Sequence, residues 1–252
     1  MPTPSLPPLR FPPPLVATRG NRRTLEFMPG NVQSEMRLSD PSALVLAYTR
    51  AVMCFALFVP QPRHIIMVGL GGGSLAKFCY RHFPATAITV IELRADVIAL
   101  REQFCVPPDD ARFRVVHADA AQYMARLADS ADVLVVDGFD ERGLPPVLGS
   151  PKFYADCRRA LLPGGVLVKN IFSYDPNYRP MLARMALIFD GKVCWFDGIA
   201  GNNRVLFALR QAPPQSRAAH TFAWVARRNG LPAGWLNRLL ARWTVFRLAL
   251  RK

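Results

Sequence analysis

The sequence predicts an α/β fold: a doubly wound, mostly parallel sheet, with a short N-terminal β-hairpin before it and a C-terminal helix after it. Three observations carry this. From His64 to Val168, apolar runs of strand length alternate with stretches of helical periodicity. Runs such as His64-Ile65-Ile66-Met67-Val68 and Val133-Leu134-Val135-Val136 are apolar at nearly every position rather than every second one, the pattern of strands buried on both faces. Such strands need helical crossovers above and below the sheet, and crossovers between parallel strands are right-handed. The first apolar run leads straight into Gly69-Leu70-Gly71-Gly72-Gly73-Ser74 and then a helical pattern, a strand–turn–helix join.

In chain order, residues 1–20 are rich in proline and read as a disordered or polyproline-II leader. Residues 21–60 read as a hairpin and a helix. Thr24-Leu25-Glu26-Phe27 and Val32-Gln33-Ser34-Glu35-Met36 alternate on either side of Met28-Pro29-Gly30-Asn31, a turn composition. Ser39-Asp40-Pro41 offers an N-cap and a first-turn proline for a helix running to about Phe58.

Residues 61–212 form the doubly wound domain. Strands are expected at His64–Val68, Ala87–Ile91, Arg112–His117, Val133–Val136 and Gly165–Val168, with helices at Ser74–His82, Ala95–Phe104, Ala120–Ala128 and Lys152–Leu161 between them. A helix at Arg179–Phe189 and strands at Val193–Phe196 and Arg204–Leu209 complete it. Residues 213–252 are a basic helical extension. Within it, Trp235, Leu236, Leu239, Leu240, Trp243, Phe246 and Leu250 recur at helical spacing among Arg238, Arg242, Arg247 and Arg251. The expectation is a helix docked on the body with a solvated basic face; contact with a membrane surface or nucleic acid is the alternative.

The net charge of +14 is unevenly distributed. Residues 1–24 carry four Arg and no acid, residues 198–252 nine Arg and one Lys and no acid, and the stretch between balances 18 bases against 18 acids. A neutral body excludes a domain-wide nucleic-acid footprint. The five cysteines lack a Cys-x-x-Cys pair and the four histidines lack metal-ligand spacing, so free thiols, no metal and a reducing, cytoplasmic setting are expected. No stretch reads as a secretory signal or a membrane span.

In an open parallel sheet, ligands bind beyond the carboxyl ends of the strands. The glycine loop lets backbone approach a ligand closely, and the helix after it offers free amides; alone it fits several nucleotide cofactors. Glu92 ends the second strand and can accept hydrogen bonds from two ribose hydroxyls. Asp119, after the third, can accept from an adenine amino group, cap the helix that follows, or do both. Asp137 and Asp140 stand in Asp137-Gly138-Phe139-Asp140 after the fourth strand, a negative site suited to holding or deprotonating an amine.

Taken together, these positions resemble the spermidine synthase family of aminopropyltransferases, which share the Rossmann-like, class I methyltransferase-like fold. The resemblance is closest from Arg63 to Val168 and includes Val90-Ile91-Glu92, His117-Ala118-Asp119-Ala120, the Asp137/Asp140 pair and Lys152-Phe153-Tyr154. More faintly it reaches Gln33 and Tyr48. It implies transfer of an aminopropyl group from decarboxylated S-adenosylmethionine to a small polyamine, without a metal. In that reading Gly69, Gly71, Gly72 and Gly73 line the cofactor, Glu92 holds its ribose, Asp119 and Ala120 meet its adenine, and Gln33 touches it. Asp137 is the base, Asp140 anchors an amine nitrogen and Tyr48 lies on the acceptor side. A homodimer is the assembly left open.

Several positions depart from the family pattern. Gly72 stands where the family loop carries an Asp, Arg94 where an acid is usual, and Gly138-Phe139 where two small hydroxyl residues are usual. The missing loop acid keeps open an S-adenosylmethionine-dependent methyltransferase, and the basic ends a non-catalytic adenosyl-binding module tethered to RNA or membrane.

Overall fold

A computed structural model describes residues 11–140, 143–229 and 234–250. Its main body is one seven-stranded sheet built from β4 (His64–Val68), β5 (Ala87–Glu92), β6 (Phe113–His117), β7 (Ala131–Val136), β8 (Leu161–Phe172), β9 (Val193–Trp195) and β10 (Asn203–Leu209). The spatial order is β6-β5-β4-β7-β8-β10-β9. Pairing is parallel from β6 through β8 and antiparallel where β10 returns against β8 and β9. The chain steps outward from β4 to β5 and β6, then crosses back to place β7 on the other side of β4. That reversal creates the switch-point crevice in which such sheets bind ligands.

The two-sided burial read from the sequence is observed residue by residue. Ile65, Met67, Val133, Val135, Val166 and Val168 enter one apolar cluster, while Ile66, Val68, Leu134, Val136 and Leu167 enter the other. Period-two alternation places neighbours on opposite faces, and both faces are covered. Helices α2 (Ser74–His82), α3 (Ala95–Ile98), α4 (Ala120–Met124), α5 (Pro151–Ala160) and α6 (Tyr178–Ile188) make the crossovers. The helices expected after β5 and β6 are shorter than their sequence patterns: α3 and α4 each last about one turn and run on as turns.

Three expectations are corrected. The leader does not extend to residue 20, because Leu15–Arg19 form a strand, β1, paired antiparallel with β2 (Arg22–Met28). With β3 (Asn31–Arg37), the N-terminal unit is a three-stranded sheet rather than a hairpin. The Val16-Ala17-Thr18 run and the Gly20-Asn21 loop, with Gly20 at φ +54°, carry the missing strand and turn; the preceding prolines obscure them. Residues 1–10 of the expected leader lie outside the described residues.

Second, the helix foreseen from Pro41 begins only at α1 (Ala47–Val52) and tightens into a 3-10 turn, Met53–Leu57. Asp40 closes a local turn with Ala43, and the Arg50 guanidinium takes the carbonyls of Leu44 and Val45. Those bonds hold residues 40–46 out of the helix. Third, the C-terminal extension is two helices, α7 (Arg217–Ala226), capped by Ser216, and α8 (Gly234–Ala249). Among the described residues, no helix is long and apolar enough to cross a membrane. All five cysteines are free thiols, Cys105 exposed and the others buried.

Candidate active site

The glycine loop joins β4 to α2, and its shape follows from the missing side chains. Gly69, at φ +94°, abuts the end of β7: a Cβ there would lie 2.5 Å from the Asp137 carbonyl oxygen. Gly73, at φ +68°, would put a Cβ 2.5 Å from Val106 Cγ2. Gly71 is also left-handed, at φ +52°, a region that costs other residues energy. Gly69 N–H donates to Ile91 O (2.9 Å) and Asp137 N–H to Val68 O (2.9 Å), so the ends of β4, β5 and β7 are tied together.

Glu92, at the end of β5, is buried and faces this loop. Its Oε2 accepts from Leu70 N–H at 2.8 Å and its Oε1 from Arg94 N–H at 2.9 Å. Burial raises its pKa; the amides of Leu70, Arg94 and Leu93 and the Arg94 charge pull it back. A carboxylate has about four lone-pair sites, so acceptor capacity remains after those bonds. Asp119 caps α4: Oδ1 accepts from Ala121 N–H at 2.7 Å and Gln122 N–H at 3.0 Å. Its Oδ2 has no hydrogen-bond partner among the described residues. The cap reading is therefore observed, with one oxygen to spare beside Ala120, the first residue of α4.

Asp137 follows the last residue of β7, and a buried polar row supports it. Asn170 Nδ2 donates to Asp137 Oδ1 at 2.8 Å, and Asn203 Nδ2 donates to Asn170 Oδ1 at 2.9 Å. The Tyr48 hydroxyl, delivered by α1, is the second hydrogen-bond donor to the Asp137 carboxyl. Burial pushes the Asp137 carboxyl up to about 6, against the opposing pull of Asn170, Tyr48 and the Lys169 charge. Lys169, fully buried, is itself pushed down to about 7 by burial. The Tyr48 hydroxyl is driven well above its ordinary pKa by burial and the adjacent Asp137 charge. This leaves a carboxyl that exchanges a proton near neutrality, beside a tyrosine that stays protonated.

The sequence-predicted residues thus fall into two groups. Gly69, Glu92, Asp137 and Tyr48 share directly bonded or abutting elements. Asp140 stands at the far end of the β7 loop, exchanging backbone hydrogen bonds with Gly143 at 2.9 and 3.2 Å. Gln33 lies on β3, where its amide donates to Asn31 at 3.2 Å; its neighbour Ser34 is the residue that meets the loop, with Oγ 3.3 Å from Ser74 Oγ. Asn170, Asn203 and Lys169 were not foreseen. One signal was available: Lys169-Asn170 interrupts an apolar strand run. Also unforeseen is an aromatic row beside Asp140, in which Phe139 meets Phe172 (ring centroids 4.8 Å) and Phe172 stacks on Tyr174 (5.2 Å).

Gly72 has a packing reason. A Cβ at this position would lie 2.7 Å from Ser34 Oγ and 2.8 Å from Phe104 Cδ1, and Phe104 is buried. Gly72→Asp is therefore expected to destabilise the fold by about 1–3 kcal/mol, the range for overpacking. A thermal melt reads this as a midpoint several degrees lower; an unchanged midpoint would show that Phe104 yields freely. Among the described residues, no group of three or more His, Cys, Asp or Glu is placed to hold a metal ion.

The sequence profile of the Spermine/spermidine synthase domain matches residues 45–185. The polyamine aminopropyltransferase of Chromobacterium violaceum is 37% identical over 199 residues, covering 79% of this chain and 76% of that one. That of Neisseria meningitidis serogroup A is 35% identical over 207 residues, covering 81% and 79%. Among solved structures, a probable spermidine synthase from Corynebacterium glutamicum superposes with a TM-score of 0.70 at 21% identity over 90% of each chain. A spermidine synthase in complex with the transition-state analogue AdoDATO gives 0.62 at 18% identity, over 90% of this chain and 88% of that one. Human methyltransferase-like protein 13 gives 0.54 at 21% identity, over 75% and 96%; these likenesses show the shared class I methyltransferase-like fold. With the profile covering more than half of its residues, the chain belongs to the spermine/spermidine synthase family.

Proposed function

We propose that this chain transfers an aminopropyl group from decarboxylated S-adenosylmethionine to a polyamine acceptor. The observation that carries the reading is Asp137: a carboxyl pushed up to about 6, gripped by Tyr48 and Asn170, at the sheet's switch point beside the glycine loop. Family membership and the names of the relatives support it. Glu92 takes the ribose hydroxyls, Asp119 Oδ2 the adenine amino group, and the turn that Gly69 and Gly73 allow brings the loop backbone, with Gly71, against the donor's body. A sulfonium donor brings its own leaving group, since C–S cleavage returns the electron pair to sulfur as a neutral thioether.

The protein then has two tasks. It aligns an amine with the carbon next to sulfur, and it supplies that amine unprotonated. Asp140 and the Phe139–Phe172–Tyr174 row hold the acceptor, whose distant ammonium groups are drawn by a carboxylate and by aromatic faces. Asp137 takes the proton from the attacking nitrogen as the new C–N bond forms. Tyr48 and Asn170 keep the carboxylate aimed, and Asn203 fixes the Asn170 amide so that its NH2 faces Asp137.

The pH profile follows. Only ionised Asp137 accepts a proton, so kcat is expected to rise with pH through about 6 and level off above. Asn170→Ala removes a bond that favours the charged form, so its limb moves to higher pH. A limb that stays in place in that variant would assign the titration to another group. The proposal itself is tested by incubating the protein, in parallel, with decarboxylated S-adenosylmethionine and with S-adenosylmethionine, each with a panel of di- and triamines, read by mass spectrometry. Methylthioadenosine and one aminopropylated amine are expected in equal amounts. Consumption of S-adenosylmethionine with a methylated product, or a bound nucleoside without turnover, would overturn it.

A further inference from the structure

Helix α8 has a buried inner face and an exposed apolar outer one. Its inner face, Asn237, Ala241, Thr244 and Leu248, is buried against the 53–57 turn and α1. Asn237 fastens it, donating to Asp197 O at 2.9 Å and accepting from Arg228 Nη2 at 2.9 Å. At the helix start, Gly198 meets Gly234 so closely that a Cβ on Gly198 would lie 2.8 Å from Gly234 Cα. The helix is thus seated by the face it buries.

The opposite face is apolar. Trp235, Leu236, Leu239, Trp243, Phe246 and Leu250 are 59, 39, 52, 49, 60 and 64% exposed. At 3.6 residues per turn these six side chains fill an arc of about 100° opposite the buried face. Exposed Arg247 borders one side of the arc and exposed Arg238 and Arg242 the other, with Arg247 lying over the Trp243 ring at 4.8 Å. Monomeric surfaces rarely expose so continuous an apolar patch without a partner.

Charge decides which partner fits. Residues 198–252 hold nine Arg and one Lys and no acid. Two copies meeting through this stripe would bring Arg238, Arg242 and Arg247 against their counterparts with no carboxylate of the segment to offset them. Nucleic acid would satisfy the arginines and could stack on the tryptophans, but would leave Leu236, Leu239 and Leu250 in water. An anionic bilayer surface takes both: aromatic rings settle at the headgroup level, the apolar arc enters the acyl boundary, and flanking arginines reach back to phosphates. At 16 residues the helix is about 24 Å long, too short to span.

We propose that the outer face of α8 is a docking surface for anionic phospholipid, which seats the protein on a bilayer with its catalytic sheet outside it. The test uses the full chain and phosphatidylcholine vesicles with and without phosphatidylglycerol, followed by sedimentation and tryptophan emission. Binding to the anionic vesicles only, with a blue shift and quenching by brominated acyl chains, is expected, weakening as salt is raised. Replacing Leu239, Trp243 and Phe246 by Ser should abolish it. Arg238→Gln, Arg242→Gln and Arg247→Gln combined should weaken it by on the order of 100-fold, at roughly five-fold per arginine. All six positions are exposed, so both variants should melt with the wild type. Wild-type protein that ignores anionic vesicles at low salt, or escapes quenching, would overturn the proposal. So would a dimer in light scattering that the Ser variant dissolves, or RNA binding in place of vesicle binding.

Discussion

Asp137→Asn is expected to lower kcat for aminopropyl transfer by about 10²–10⁴-fold, the contribution of a positioned general base, while methylthioadenosine binds within a few-fold of wild type. The substitution is isosteric. The introduced amide can turn its own carbonyl oxygen toward the Asn170 NH2 that now donates at 2.8 Å, so the pocket keeps its shape. What disappears is the group that takes the proton, because an amide is not basic near neutrality. The variant should also lose the pH limb near 6. Single-turnover kinetics separate the two effects; a variant with wild-type kcat and an intact limb would remove Asp137 from the chemistry.

Glu92→Gln is the second large effect, and it acts on binding. The Glu92 carboxylate already holds the amides of Leu70 and Arg94, so its remaining acceptor capacity is what a ribose would use. A neutral amide keeps one oxygen, and its NH2 faces donors instead of accepting from them. Hydrogen bonds to a charged group are worth about 1.5–3 kcal/mol each, and weakening two of them gives an affinity loss on the order of 100-fold for methylthioadenosine. Calorimetric titration measures it directly. Equal affinity in the variant and the wild type would move the nucleoside away from β5. The two substitutions should split cleanly, Asp137→Asn in turnover and Glu92→Gln in binding. A reversal of that split would break the assignment of roles.

The parallel part of the sheet was legible because its strands are buried on both faces, which makes each run apolar throughout and bounds it with glycine, proline or charge. Residues at strand ends were legible for the same reason, since Glu92 and Asp137 are the first charges after such runs. Local competition was harder to see. Nothing in Asp40-Pro41 announces that the Arg50 guanidinium will occupy the Leu44 and Val45 carbonyls and delay α1. β1 was hidden by the prolines before it, although Gly20-Asn21 is a hairpin composition. The Asn203–Asn170–Asp137 row was out of reach, because it depends on the register that sets β10 antiparallel to β8, with Asn203 opposite Phe172 and Val205 opposite Asn170. That pairing joins residues 33 positions apart, and only the fold brings them together.

Gly72 shows how one substitution can be read in two ways. As a sequence change it removes a charge from the loop; in the structure it also makes room for the Phe104 ring and the Ser34 hydroxyl. If Gly72 is required by packing, the loop itself supplies no carboxylate for the donor's amino end.

The central claim is that Glu92 and Asp137 serve one ligand from neighbouring strand ends, and a crystal structure with bound methylthioadenosine tests it most directly. Both ribose hydroxyls should lie within hydrogen-bond distance of the Glu92 carboxylate, with adenine beside Asp119 and Ala120 and the thioether sulfur turned toward Asp137. A nucleoside seated elsewhere on the molecule, or one whose sulfur points away from β7, would contradict it.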